Sequence, residues 1–173
     1  MRKAFTLIEL LIVIAILGIL VVGILIALDP VEQTRRATDT TVLRSGGDVK
    51  NAVDRFYASK LYFPWCDPTS PAGSCTMISN CVADSSNQLD SACGSDVMGE
   101  LVNTGELKSN PPASMTAVLF LVIGSGGGSF NVTFNPVSRS FDTNPNTKYV
   151  DNSCTTTDTT ACSTTPNDCF FCL

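Results

Sequence analysis

Met1-Arg-Lys-Ala-Phe-Thr-Leu-Ile-Glu9 runs directly into Leu-Leu-Ile-Val-Ile-Ala-Ile-Leu-Gly-Ile-Leu-Val-Val-Gly-Ile-Leu-Ile-Ala-Leu, residues 10 to 28. These nineteen residues carry no charge. As a helix rising ~1.5 Å per residue they reach about the ~30 Å thickness of a bilayer's hydrocarbon core. Glu9 lies at the start of the apolar run, where a carboxylate costs roughly 2.5–3.5 kcal/mol on insertion scales, so it calls for a partner. Arg2 and Lys3 precede the run and place its start on the cytoplasmic side. A cleavable secretory signal would be shorter and would end in small residues. Here the run is longer, and Ala27-Leu28-Asp29-Pro30 is no such cleavage site. The segment reads as one that is retained.

Lys3-Ala4-Phe5-Thr6-Leu7-Ile8-Glu9-Leu10-Leu11-Ile12-Val13 closely resembles the start of type IV pilin precursors, including the pseudopilins of type II secretion. The resemblance implies that a membrane prepilin peptidase cuts between Ala4 and Phe5 and that the new amine of Phe5 is methylated. It implies that Glu9 pairs with the N-terminal amine of a neighbouring subunit during assembly. It also implies that the apolar helix first anchors the subunit in the membrane and later forms the core of a filament. Most members have Gly before the cut where this chain has Ala4, which is still small. The motif covers about the first thirty residues, and beyond it the resemblance is one of layout. The competing reading is a plain signal anchor whose glutamate merely complements the positive end of the helix. Such an anchor has no need of Phe-Thr-Leu-Ile-Glu in that order.

Composition fits an exported protein. Its 173 residues allow one domain plus an anchor. The net charge is −5, and removing Arg2 and Lys3 from the 11 basic side chains leaves 9 against 16 acidic, or −7. That balance is no footprint for generic nucleic-acid binding. Histidine is absent, and with it the commonest general base and metal ligand. No Ser/His/Asp or Cys/His set can be assembled, so catalysis is not expected.

Past Asp29-Pro30 the apolar pattern becomes one-sided. Val42, Val49, Val53 and Phe56 recur at seven, four and three, as an amphipathic helix requires. One long helix is expected from about Phe5 to Ser59, its membrane and assembly half at 5–29 and its stem at 30–60. Pro30 should kink it. Gly18 and Gly23 lower helix propensity inside the apolar half. Members of the resembled family can lose helicity between anchor and head, and Gly18, Gly23 and Pro30 are where that would occur. Ser45-Gly46-Gly47 marks either a close approach of the sheet or a hinge.

The globular head is expected at 61–173. Pro64 biases the chain away from helix, and 61–95 reads as a Cys-rich loop. A short helix is expected at 96–108, capped by Ser95 or Asp96. Antiparallel strands are expected within 116–151: Thr116 to Ile123, then Phe130-Val132-Phe134, a return strand at Val137 to Phe141, and an edge strand around Lys148 to Asp151. A Cys-rich loop at 152–173 closes the chain. The expected fold class is α+β and pilin-like: a long N-terminal helix, transmembrane in its first half, packed on an antiparallel β-meander head with disulfide-rich loops.

All eight cysteines follow residue 65, in two groups: Cys66, Cys75, Cys81, Cys93, and Cys154, Cys162, Cys169, Cys172. An even count in loop-rich exported sequence reads as disulfides, in any of 105 pairings. The wide gap between the groups favours pairing within each, although folding could bring the C-terminus onto the first loop. Zinc at the last four is the alternative, although their spacing matches no common ribbon. Cys169-Phe-Phe-Cys172 as a redox motif lacks the helix N-terminus that activates such thiols.

Several further features carry less. Gly124 to Gly128 lacks the Lys-Ser/Thr of a phosphate loop and reads as a flexible hairpin loop. Asp142, Asn144 and Asn146, with Asp151 nearby, have the opening oxygen spacing of a calcium loop. They lack its glycine and its closing glutamate, so turn chemistry accounts for them better and no cofactor is expected. Asn131-Val-Thr133 is a formal glycosylation sequon set within a strand. Thr155 to Thr165 reads as a solvated loop rather than a sugar-bearing one.

The expected function is that of a structural subunit of a type IV pilus-like filament. It would be made as a single-pass inner-membrane precursor with a cytoplasmic leader, and would become extracellular on assembly. Expected partners are further copies of the chain in a helical filament, the prepilin peptidase, the pilus or secretion machinery, and the membrane. The alternatives are a pseudopilin of a secretion or DNA-uptake machine and a membrane-anchored adhesin or binding module that never polymerises.

Overall fold

A computed structural model describes residues 5–70, 74–83, 86–144, 146–151, 153–157 and 169–173. The chain divides into two compact units, Met1–Arg35 and Arg36–Leu173. The first is built around α1 (Leu7–Leu28). Helix α2 (Pro30–Lys60) begins in the first unit and runs through the second.

The single helix expected from Phe5 to Ser59 is two helices. Asp29 caps α1 in a left-handed conformation, φ 36°. Its Oδ1 then accepts the N–H of Glu32 at 3.4 Å, so one residue closes one helix and opens the next. Pro30 occupies the first position of α2, where its missing N–H costs nothing and its fixed φ suits the helix. Pro30 therefore starts a helix rather than kinking one.

In the second unit α2 buries Val42, Val49, Ala52, Val53 and Phe56, the stripe that the periodicity demanded. These pack in one core with Leu119, Leu121, Ile123, Val132, Phe134 and Phe171 of the sheet and with Cys93, Val97, Met98 and Leu101 of α3 (Ala92–Asn103). Gly46 lets the sheet close on the helix: a Cβ there would lie 2.6 Å from Leu173 Cδ1 and 3.1 Å from Leu119 Cδ2. A Cβ on Gly47 would meet nothing within 4 Å, so close approach explains only the first of the pair.

The sheet is antiparallel throughout, with five strands: β1 (Ser86–Gln88), β2 (Leu119–Ile123), β3 (Phe130–Phe134), β4 (Thr147–Tyr149) and β5 (Phe170–Cys172). Their order is β1-β2-β3-β5-β4. Strands consecutive in the sequence thus account for the first three neighbours, while the C-terminal strand inserts between β3 and β4. The head is α+β and pilin-like, with a long apolar helix N-terminal to it.

Four expectations change in detail. The short helix α3 spans Ala92–Asn103 rather than 96–108, because Ser91 is the cap: its Oγ accepts the N–H of Gly94 at 3.3 Å. Strand β1 lies inside the stretch read as loop 61–95. Strand β5 lies inside the stretch read as loop 152–173, where Phe171 stacks on Phe134 with ring centroids 5.4 Å apart. The return strand at Val137 to Phe141 is absent. A helical turn, α5 (Arg139–Asp142), stands there after a loop held by Asp39 of α2. A second short helix, α4 (Ala113–Thr116), takes the residues just before β2.

Candidate functional site

The N-terminal segment is the first element to build from its residues. Thr6 has extended backbone and caps α1, its Oγ1 accepting the N–H of Glu9 at 3.3 Å. Thr6-Leu-Ile-Glu9 has the Thr-x-x-Glu spacing of a capping box, a signal legible in the sequence. The cap fixes where the helix begins, two residues after Phe5, and so sets Glu9 in its first turn. No partner for the Glu9 carboxylate is found among the described residues.

Around Glu9 everything large and apolar is uncovered. Phe5 is 72% exposed and Leu7 81%, and sixteen large apolar side chains between Phe5 and Leu25 stand open. Leu7–Leu25 is long and apolar enough to cross a membrane. Burying a Val, Leu, Ile or Phe side chain fully is worth roughly 1.5–3 kcal/mol, so covering this helix yields on the order of tens of kcal/mol. Gly18 and Gly23 lie within the unbroken α1, and a Cβ at either would meet nothing within 4 Å. The helix ends at Leu28, with Asp29 as its cap. Ala4 lies outside the described residues.

In the head, disulfides join Cys66 to Cys75, Cys81 to Cys93, and Cys154 to Cys172. Cys169 is also disulfide-bonded; Cys162 lies outside the described residues. No described cysteine is a free thiol, and Cys172 is paired with Cys154 rather than with Cys169. The Gly124 to Gly128 loop is anchored at Gly127. Trp65, fully buried, donates its Nε1–H to Gly127 O at 3.0 Å. Gly127 has φ 73°, and a Cβ there would collide with Cys75 Sγ, so only glycine fits between the tryptophan and the disulfide.

The residues with calcium-like spacing serve the backbone. Asn144 Oδ1 accepts the N–H of Asn146 at 3.0 Å, an Asx turn. Asp151 accepts from Ser153 Oγ at 2.5 Å, from the N–H groups of Thr155 at 3.1 Å and Thr156 at 2.7 Å, and from Thr155 Oγ1 at 3.3 Å. Burial alone would raise this carboxyl, but the hydrogen bonds from Ser153, Thr156 and Thr155 outweigh it and hold Asp151 well below the usual carboxylate range. The side chain of Asp142 is outside the described set. Among the described residues no cluster of three or more His, Cys, Asp or Glu could hold a metal.

One residue of structural weight escaped the sequence reading altogether. Asp39 is 2% exposed, and its carboxylate accepts from the N–H groups of Val137 and Ser138 and from Ser138 Oγ. An acidic residue on the stem helix gave no local sign of partners nearly a hundred positions away.

Residues 1–25 match the prokaryotic N-terminal methylation motif, the leader signature of type IV pilin and pseudopilin precursors. No curated protein sequence and no solved structure matches the chain. The motif implies processing by a prepilin peptidase and assembly into a pilus or a secretion system. It points to a structural subunit rather than an enzyme. Together with the apolar helix it fits a membrane-anchored precursor.

Proposed function

We propose that this chain is a structural subunit of a type IV pilus-like filament, inserted in the inner membrane as a precursor, cleaved before Phe5 and polymerised through α1. One observation carries the reading: a wholly uncovered apolar helix, with a carboxylate in its first turn, directly behind a matched methylation leader. Lipid covers the helix before assembly, and the same helix from other copies covers it afterwards. In that second environment Glu9 finds the amine of a neighbour's Phe5, which satisfies two otherwise costly charges at once. Gly18 and Gly23, open on their surface, admit close approach of neighbouring helices or local loss of helicity. The disulfide-stapled head becomes the filament's outer surface.

The test is Glu9→Ala, read by electron microscopy of sheared filaments beside a membrane-fraction immunoblot. Membrane insertion should hold or improve, since a charge costing roughly 2.5–3.5 kcal/mol is removed. Filaments should be lost or sharply reduced, because breaking one side of a buried pair costs about 3–5 kcal/mol. Normal filaments from this variant, or none from the unaltered chain, would overturn the proposal.

A further inference from the structure

At the β2–β3 end of the head lies a cleft of about 460 Å³ whose polar lining is Ser125, Ser129, Asn131, Ser153 and Thr155, with Phe130 beside them. We propose that this cleft binds a neutral saccharide. Its volume falls within the range of small-molecule sites. Among the described residues no charged side chain lines it, so nothing in that part of the wall selects for a phosphate, a carboxylate or an ammonium group.

The hydrogen-bonding pattern is more specific than the size. Asp151 stands behind Ser153 and Thr155, and an ionised carboxylate only accepts. Ser153 Oγ gives its proton to Asp151 Oδ1. Thr155 Oγ1 lies 3.3 Å from Asp151 Oδ2 and 3.0 Å from Ser153 Oγ, so its proton is also turned into this cluster. What these two hydroxyls leave for the cleft is lone pairs. A ligand must donate to them.

On the other side, the Asn131 carboxamide has no partner among the described residues and offers two donors and an acceptor. The Ser125 and Ser129 hydroxyls are likewise unengaged and can rotate to give or to accept. The wall thus requires a ligand with donors and acceptors close together and no net charge, which describes the vicinal hydroxyls of a sugar. Val122, the register partner of Asn131 across β2 and β3, shares that face of the sheet and adds an apolar element to the lining. The inference does not depend on whether the chain polymerises.

The probe is an immobilised array of neutral, sialylated and sulfated oligosaccharides. It is challenged with the full chain held in a detergent that has no sugar headgroup. Neutral oligosaccharides should be retained, and Asn131→Ala and Ser129→Ala should each weaken retention tenfold or more while thermal unfolding followed by Trp65 fluorescence stays within 2 °C. Asp151→Asn should also weaken it, because its amide can donate and releases the ordered hydroxyls. Retention of no neutral glycan, preference for the acidic ones, or equal binding by Asn131→Ala would each overturn the proposal.

Discussion

Replacing Asp39 tests a buried long-range polar tether in the head. The carboxylate is 2% exposed and receives the Ser138 N–H at 2.8 Å, the Ser138 hydroxyl at 2.6 Å and the Val137 N–H at 3.1 Å from both oxygens. In Asp39→Ala these donors lose a charged acceptor, where each bond is worth about 1.5–3 kcal/mol. The losses are unequal. Val137 is 47% exposed, so water can take up its N–H. Ser138 is fully buried, so its N–H stays unpaired, while its hydroxyl keeps a contact with Ser140 Oγ at 3.3 Å. Roughly one bond is lost outright and fractions of two others, which gives a net loss of about 3 kcal/mol. Asp39→Asn keeps one acceptor oxygen and should cost about 1–2 kcal/mol. For a head of this size about 3–4 °C accompanies each kcal/mol, so Asp39→Ala should melt about 10 °C lower and Asp39→Asn about 5 °C lower. The chain has a single tryptophan, Trp65, buried in the head, and its fluorescence reports head unfolding in detergent without interference from α1. A double-mutant cycle with Ser138→Ala isolates the tether. A shift below 2 °C in Asp39→Ala, or strict additivity in the cycle, would refute the reasoning.

Mass analysis of the mature N-terminus should show loss of Met1 to Ala4 and a methyl group on Phe5; an intact Met1 or a cut after Leu28 would contradict the leader reading. Removing the 18-residue Cys154–Cys172 link should cost about 3 kcal/mol and removing the 9-residue Cys66–Cys75 link about 2.5 kcal/mol, by loop entropy. Denaturant unfolding of the two Cys→Ser pairs checks that order, and alkylation without prior reduction should add no mass at all. Asp151 has a folded pKa below its ordinary 3.8, so it stabilises its loop above that value and ceases to as the pH falls beneath it. The protection of the Thr155 and Thr156 amides, taken relative to their intrinsic exchange rates, should therefore hold from neutral pH to about 4 and decline only below; Asp151→Asn should remove that acid dependence.

What was legible was local. The apolar run, the Phe-Thr-Leu-Ile-Glu string and the stripe of Val42, Val49, Val53 and Phe56 each announce themselves within a few turns. Strand β3 did so by alternation of Phe130, Val132 and Phe134. What was illegible depends on distant partners or on very short elements. Three residues, Phe170 to Cys172, show no period, and they become a strand because Phe171 fits beside Phe134 and Cys172 is tied to Cys154. Val137 to Phe141 has the composition of a strand, yet Asp39 claims two of its backbone donors and turns it. Gly124 to Gly128 looked free because neither Trp65 nor Cys75 is near it in sequence. Pro30 was read as a kink because Asp29 gave no sign of adopting φ 36°.

The two units owe their order to different causes, and that difference constrains how the molecule can fail. Helix α1 has its own backbone hydrogen bonds and its Thr6 cap, and its large apolar side chains stand uncovered. The head has a closed core, a tether and covalent staples of its own. A change at Glu9 should therefore abolish assembly and leave Trp65 fluorescence and head melting untouched. A change at Asp39 should lower head melting and leave membrane insertion untouched. Each defect crossing into the other's assay would mean that the head is not self-sufficient and that the helix serves it as a structural member. Separate defects are what a polymerising subunit requires, because its helix must exchange one apolar surrounding for another while its head stays folded throughout.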